Sequence, residues 1–132
     1  MTEFEKDPLL PSGPWKGFYC YEADAEKHKM DIELTFCDMT VSGSGIDDVG
    51  TFHWEGNYDL THFKANITKQ YLTHKVWYKG AIDENGIWGN WELNIGWNNI
   101  TGGFHIWPKK QNQGESTMEV GKEISIVMCK CI

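Results

Sequence analysis

The sequence predicts an all-β protein that folds as an antiparallel up-and-down β-barrel of about eight to ten strands. Three observations favour this class. Apolar and polar residues alternate with a period of two from Trp15 to Trp107, which is the pattern of half-buried strands. The chain holds 14 glycines and 14% aromatic residues, a composition typical of β structure. The connections between the alternating segments are too short for crossover helices, so neighbouring strands must be antiparallel.

Each strand can be located by its alternation. Residues 15–22 and 30–37 come first, and 39–45, 50–56, 61–71, 74–81, 87–95 and 102–108 follow. All eight segments have one apolar face. Closing the sheet on itself covers that face and removes the exposed edges. A two-sheet sandwich is the alternative, but its Greek-key connections are longer than most of those present here.

The turn after the sixth strand sets one expected register. Asn85-Gly86 is the preferred centre of a two-residue type I′ turn, and this register pairs Tyr78 with Leu93 on the apolar face. On the outer face it predicts a cross-strand ion pair between Lys79 and Glu92. One register thus accounts for both faces of the hairpin.

The stretch GSGIDDVG, residues 43–50, is predicted to be a second hairpin with a two-residue turn at Asp47-Asp48. Gly43 and Gly45 then occupy strand positions over which aromatic rings pack, with Gly45 opposite Gly50. A phosphate-binding loop would need Gly-Lys-Ser/Thr at the start of a helix, and an EF-hand would need further oxygen ligands and a Glu at its twelfth position. Neither pattern follows, so we interpret the stretch as structural.

The chain divides into three regions. We interpret residues 1–12 as an N-terminal extension, 13–110 as the barrel and 111–132 as a C-terminal tail that follows a polar linker. Two apolar runs in the tail, 118–120 and 124–128, predict an additional strand that pairs with a barrel edge or with another copy of the chain.

The charge balance excludes one class of partner. The net charge is −7, and all 12 basic residues are Lys. We expect no nucleic-acid binding, because the basic surface and the Arg side chains that recognise bases and phosphates are missing. We also expect a cytoplasmic protein with no membrane partner, since the sequence shows no signal peptide and no apolar run of spanning length. The four cysteines are then expected to be free thiols.

The stretch GPWKGFY, residues 13–19, resembles the G-x-W first-strand signature of the calycin superfamily, which includes lipocalins, fatty-acid-binding proteins and avidins. This resemblance implies a lipocalin-like or avidin-like barrel in which Trp15 closes one end. It also implies that a basic residue after the last strand, Lys109 or Lys110, packs across that indole. The chain lacks the lipocalin disulfide and length, the helical lid of fatty-acid-binding proteins and a convincing set of avidin biotin residues.

A second resemblance spans most of the chain. G-x-G-x-D-x-x-G at residues 43–50 and G-F-x-I-W-P at residues 103–108 are similar to motifs of small uncharacterised barrel proteins. This similarity implies a fold and no particular activity.

The sequence contains no recognisable catalytic pattern. The histidines, at positions 28, 53, 62, 74 and 105, lack the spacings of a structural zinc site. No Ser lies in a nucleophile elbow, no Cys has a catalytic context, and the alternation places no pair of carboxylates inward. We therefore expect no metal, no cofactor and no enzymatic activity, and a cofactor-free isomerase has little support from the residues.

The predicted interior is rich in aromatic residues, and these are the candidate ligand-binding residues: Tyr19, Phe36, Trp54, Phe63, Tyr78, Trp91 and Phe104. Their hydroxyl and indole N–H groups need partners when buried. One hypothesis is the non-catalytic binding of a small apolar or aromatic ligand inside the barrel, oriented by Tyr19, Tyr78 and the indoles. A solid core of interdigitating rings carries equal weight.

A second hypothesis rests on the outer surface. A last hairpin centred near Ile100 would bring Trp77, His105 and Trp107 together outside the barrel, and clustered exposed aromatic residues mark contact surfaces. The alternative function is therefore a protein-interaction or homo-oligomerisation module that uses the Trp77/Trp107 patch and the C-terminal strand.

Overall fold

The computed structural model describes residues 4–21 and 26–109, in which eight strands form one closed antiparallel barrel. Their bounds are β1 Gly13–Tyr21, β2 His28–Cys37, β3 Thr40–Ile46, β4 Thr51–Asp59, β5 Lys64–Tyr71, β6 Lys75–Asp83, β7 Gly86–Ile95 and β8 Asn98–Pro108. Each strand pairs with the next along the chain, and β8 pairs back with β1. The predicted fold class is confirmed. The additional strand predicted for the tail lies outside the described residues.

The β3–β4 hairpin is wider than predicted. Gly45 pairs with Phe52 and not with Gly50, so the connection is the four-residue loop 47–50. Asp47 sets this loop, because its Oδ1 accepts hydrogen bonds from the backbone N–H of Val49 at 2.9 Å and of Gly50 at 3.2 Å. An aspartate that binds the backbone two residues on makes a turn of its own, and that local bond displaces the predicted two-residue turn.

The β6–β7 turn lies one residue closer to the N-terminus than predicted. Tyr78 pairs with Trp91, two residues from its predicted partner, and the turn is formed by residues 84–85. Gly86 therefore belongs to the strand and not to the turn. A Cβ added there would lie 2.0 Å from the carbonyl oxygen of Ile106, so the close approach of β8 accounts for the glycine.

Both registers are shifted by an even number of residues, so every side chain keeps its predicted face while its cross-strand partner changes. The predicted ion pair between Lys79 and Glu92 is wrong for this reason. Lys79 pairs with Asn90, and Glu92 pairs with Trp77.

The β7–β8 turn is also misplaced by the sequence prediction. Ile95 pairs with Asn98, so the hairpin is centred on Gly96-Trp97 and not near Ile100. Gly96 has a φ of 59°, a left-handed conformation that glycine adopts without steric cost. The turn forms at the residue that tolerates this conformation.

The interior of the barrel is filled by large apolar side chains from all strands. The buried hydrophobic residues are Leu10, Trp15, Tyr19, Met30, Ile32, Leu34, Phe36, Val41, Phe52, Trp54, Tyr58, Ala65, Ile67, Tyr71, Val76, Tyr78, Ile82, Ile87, Trp91, Phe104 and Ile106. Six of the candidate interior residues are among them, but Phe63 is not. Phe63 is 44% exposed and lies in the β4–β5 turn with a φ of 55°, so the strand alternation that predicts it inside begins only at Lys64.

We call the end with the β2–β3, β4–β5 and β6–β7 turns the lower end, and the opposite end the upper end. The N-terminal segment 4–12 covers the lower end. The backbone N–H of Glu5 donates to the carbonyl of Phe36 at 3.0 Å, and the hydroxyl of Tyr58 donates to the Glu5 carboxylate at 2.7 Å. Leu10 is fully buried against the core. The extension therefore closes one end of the barrel.

Trp15 also lies at the lower end, with its ring 5.4 Å from that of Phe36. Its indole N–H donates to the carbonyl of Pro11 at 2.8 Å. The ammonium of Lys109 lies 3.8 Å from the carboxylate of Asp31 on the outer surface. Lys110, the other basic residue considered for packing across Trp15, lies outside the described residues.

Cys20 carries a free thiol, whereas Cys37 is disulfide-bonded. The expectation of free thiols is therefore wrong for Cys37.

Within residues 4–21 and 26–109, no helix is long and apolar enough to cross a membrane.

The face assignments predict how tryptophan substitutions affect stability. Trp15→Ala and Trp91→Ala each remove a buried indole and should lower the free energy of unfolding by roughly 3 to 5 kcal/mol. Trp77→Ala removes a side chain that is 46% exposed and should cost much less. Chemical denaturation of the three variants provides the measurement, and a Trp77→Ala variant as unstable as the other two would contradict the assignment.

Candidate functional site

Lys69 is a charged residue buried inside the barrel, with only 1% of its surface exposed. It lies on β5, whose inward positions are Ala65, Ile67, Lys69 and Tyr71. Its ammonium donates to the Asp47 carboxylate at 2.6 Å, to the Tyr78 hydroxyl at 3.2 Å and to the Met30 sulfur at 3.2 Å. The upper end of the barrel therefore contains a fully buried ion pair.

Aromatic rings surround the Lys69 ammonium. Its Nζ lies 4.4 Å from the centroid of the Phe52 ring, 4.8 Å from Tyr19, 4.9 Å from Tyr71 and 5.4 Å from Tyr78. A cation within about 6 Å of a ring face is attracted by the ring quadrupole, most strongly where water is excluded. The four rings replace part of the hydration that the ammonium loses.

The carboxylate partner comes from the 47–50 loop. The Asp47 side chain has no exposed surface, although its backbone belongs to the connection between β3 and β4. One of its oxygens, Oδ2, accepts hydrogen bonds from the Lys69 ammonium at 2.6 Å and from the Tyr71 hydroxyl at 2.5 Å. The loop thus turns a charged side chain into the mouth of the barrel.

Asp48 makes a second connection between this loop and the barrel. Its carboxylate accepts a hydrogen bond from the Tyr19 hydroxyl at 2.6 Å and lies 2.6 Å from Nδ1 of His28. The His28 ring stacks on that of Tyr19, with centroids 4.8 Å apart. Asp48 is half exposed, so this connection lies at the surface of the upper end.

Burial and charge shift the ionisation of these groups. Desolvation lowers the pKa of Lys69 to about 8, although the hydrogen bond and charge of Asp47 act in the opposite direction. Desolvation also raises the pKa values of Tyr71, Tyr78 and Tyr19, with the loop carboxylates adding to the effect. The three phenols therefore remain neutral hydrogen-bonding groups near neutral pH.

One buried donor beside this cluster has no partner. The indole Nε1 of Trp54 is inaccessible and makes no hydrogen bond. Trp54 pairs directly with Lys69 across β4 and β5, and its ring centroid lies 4.9 Å from that of Tyr78. An unsatisfied buried donor costs about 1 to 3 kcal/mol, so this N–H calls for an explanation.

The structure separates the candidate ligand-binding residues. Tyr19, Trp54 and Tyr78 lie around Lys69, and Phe104 packs on Tyr78 with centroids 4.7 Å apart. Trp91 contacts Tyr19 at 6.2 Å. Phe36 lies under the N-terminal segment at the lower end, and Phe63 lies outside the barrel. Five of the seven candidates thus belong to one neighbourhood.

Sequence reasoning missed Lys69, Asp47 and Tyr71. The signal for Lys69 was present, because the alternation that places Ile67 and Tyr71 inward also places Lys69 inward. No comparable signal exists for Asp47. Its side chain enters the barrel from a loop, where the alternation of strands does not apply.

The outer surface differs from the predicted patch. Phe18, His105 and Trp107 contact one another, with centroids 6.1 Å from Phe18 to each of the other two and 4.8 Å between His105 and Trp107. Together with Lys27 they line an open groove of about 590 Å³. Trp77 is aligned across β7 with Glu92, and Glu92 with Thr101 on β8; Trp107 lies farther along β8, so the Trp77/Trp107 patch is not formed.

The described part of the chain has no group of three or more His, Cys, Asp or Glu side chains that could hold a metal ion. The cluster around Lys69 combines one cation, one carboxylate and neutral phenols, a set that suits the recognition of a polar organic group better than a metal.

No family model, no curated protein and no solved structure matches this chain. The resemblance to the calycin superfamily therefore stays a prediction. The barrel architecture is compatible with many unrelated functions, so function has to be argued from the site itself.

The ion pair predicts a difference between single and double variants. Lys69→Met leaves the buried Asp47 carboxylate without its cation and should destabilise the protein by roughly 3 to 5 kcal/mol. Lys69→Met combined with Asp47→Asn removes both charges and should restore most of that loss. Urea unfolding of the three proteins measures the free energies, and a double variant as unstable as the single one would show that the pair is not coupled.

The shifted pKa of Lys69 predicts a pH dependence. Folded Lys69 releases its proton above about pH 8, while the unfolded chain keeps the ordinary value of 10.5. Between these values the unfolded state binds more protons, so the free energy of unfolding rises with pH. Below about pH 8 both states are protonated and this contribution is constant. The double variant lacks the group, so the stability difference between wild type and double variant should increase from pH 8 to pH 10. A constant difference would contradict this assignment.

Proposed function

We propose that this barrel binds, without catalysis, a small apolar or aromatic ligand with a polar group at its upper end. The observation that carries the proposal is the Lys69 cluster: a buried ammonium, two phenol hydroxyls within its hydrogen-bonded network and an unpartnered indole N–H inside an otherwise apolar barrel. Apolar walls with a few convergent polar groups are typical of small-molecule sites.

Stability alone gives little reason to keep this cluster. A buried ion pair is often no more stabilising than apolar residues of similar volume, because both charges lose their hydration. The unpaired N–H of Trp54 adds a further cost. Perturbed ionisable groups gathered at one place are more common at functional sites than elsewhere. A ligand that accepts a hydrogen bond from Trp54 would relieve one of these costs.

A ligand would reach the Lys69 cluster from the upper end of the barrel. The lower end is covered by segment 4–12 and its buried Leu10, and the middle of the barrel is filled by side chains. The 47–50 loop lies directly over Lys69 and contributes one of its ligands. A ligand would therefore enter by displacing this loop, which is anchored by side-chain contacts and not by strand pairing.

Matched Tyr→Phe variants at the two ends test the proposal. Tyr78→Phe removes a hydroxyl beside Lys69, whereas Tyr58→Phe removes one that bonds to Glu5 at the lower end. Each change should lower stability by roughly 0.5 to 1.5 kcal/mol. Small aromatic, fatty and tetrapyrrole compounds are screened for a rise in melting temperature of the wild type, of both tyrosine variants and of Trp54→Phe, which removes the unpartnered indole N–H. Binding should weaken in Tyr78→Phe and Trp54→Phe and remain unchanged in Tyr58→Phe.

Two outcomes would contradict the proposal. A wild type that responds to no compound, with both tyrosine variants destabilised, would indicate a solid core. Equal loss of binding in Tyr58→Phe and Tyr78→Phe would place the ligand elsewhere or trace the effect to general destabilisation.

A second candidate function is self-association through the outer wall. Large aromatic side chains are exposed there and at the upper rim: Trp77 at 46%, Trp88 at 45% and Trp97 at 102%. Aromatic residues are enriched at protein interfaces. Sedimentation of the full chain over a concentration series should then show a dimer that weakens in Trp88→Ser. A wild type that stays monomeric throughout would exclude this candidate.

A further inference from the structure

The cation of the site and its counter-ion belong to different kinds of structure. Lys69 and the groups that surround it lie on strands of the barrel, each paired on both sides. Asp47 lies on the 47–50 loop, which is held over the mouth by its own side-chain bonds. Local opening requires less free energy in such a loop than in the strands below it. The Asp47 carboxylate is therefore the group that can move away from Lys69 when the loop opens.

The place that Asp47 occupies is a complete carboxylate site. Its Oδ2 accepts two strong hydrogen bonds, from the Lys69 ammonium at 2.6 Å and from the Tyr71 hydroxyl at 2.5 Å. Its side chain is fully buried, so water does not compete for these donors. Charge-assisted hydrogen bonds of this kind are the usual means of binding a carboxylate. With the loop displaced, both donors would face the open mouth.

Apolar side chains lie at the tips of the loops around this mouth. Val49 in the β3–β4 loop is 52% exposed, Leu72 in the β5–β6 turn is 97% exposed and Trp97 in the β7–β8 turn is 102% exposed. All three connections belong to the upper end. An apolar ligand body lying between these loop tips would remove part of this apolar surface from water.

We propose that the ligand is an organic acid whose carboxylate takes the place of Asp47 on Lys69 and Tyr71, with its apolar or aromatic body lying between the loop tips. The inference rests on the proposed function above and adds the chemical class of the ligand. Asp47 then acts as an internal competitor that holds the site closed when no acid is present. No covalent step is involved.

The ionisation of the cluster agrees with this exchange. The pKa of Lys69, lowered to about 8 by desolvation, leaves most of the ammonium protonated at pH 7. The neutral Tyr71 hydroxyl remains a donor, since burial raises its pKa. The site therefore presents one positive charge to one carboxylate.

Isothermal titration calorimetry at pH 7 with 2-naphthoate and decanoate, each compared with its methyl ester, tests the proposal. Wild type should bind the acids roughly 10- to 100-fold more tightly than the esters, because an ester forms only neutral hydrogen bonds. Asp47→Asn should bind the acids at least about tenfold more tightly than wild type, since it removes the competing carboxylate. Asp47→Asn also keeps an oxygen for the turn bonds of the loop, so it retains the loop geometry.

Two controls keep the test specific. Asp59→Asn changes the aspartate at the lower end of β4, which accepts a hydrogen bond from the backbone N–H of Thr61, and it should leave both affinities unchanged. The double variant Lys69→Met/Asp47→Asn should bind acid and ester equally and weakly. Circular dichroism of each ligand-free variant establishes that it is folded.

The outcomes separate this inference from the proposed function. If acid and ester bind wild type equally and Asp47→Asn changes neither affinity, the ligand class is wrong while the proposed function stands. If neither acids nor esters bind wild type or Asp47→Asn, and the wider compound screen is also negative, both proposals are overturned.

Discussion

Closure of the sheet is the constraint on which the rest of the structure depends. Because β8 pairs with β1 as well as with β7, no strand edge remains and half of all strand residues must face a single interior. On β5 this places Lys69 inside, between Ile67 and Tyr71. An isolated ammonium in such a place would be too costly to keep charged. Together, the Asp47 carboxylate, the phenols and the surrounding rings offset the cost of burying the charged ammonium.

The two ends of the barrel are closed by different kinds of contact. At the lower end the chain covers the opening with its own N-terminal segment, and the hydrogen bonds of Glu5 and the packing of Leu10 resemble those of an ordinary core. At the upper end the cover is a short loop, joined to the barrel through Asp47 and Asp48. The lower end is closed mainly by packing, and the upper end by the charged contacts of Asp47 and Asp48.

The stretch GSGIDDVG shows how a sequence motif can be interpreted correctly in its fold and incompletely in its role. The hairpin and the strand positions of Gly43 and Gly45 follow from the sequence, and a Cβ on Gly45 would lie 2.8 Å from the Phe52 ring. The two aspartates do not form the turn alone. One sets the width of the loop and pairs with Lys69, and the other contacts Tyr19 and His28.

The sequence by itself determined the fold class, a closed antiparallel barrel of about eight strands, and the face of most side chains. These follow from period-two alternation, which is a local property and survives a register error of two residues, as at Tyr78 and Trp91. It failed for Phe63, where the strand had not yet begun. The pairing of Asp47 with Lys69 was decided only by the tertiary structure. These residues are 22 positions apart, and one lies on a loop whose direction depends on the closed barrel beneath it. No local pattern encodes that contact, because it exists only when closure has brought β5 under the loop.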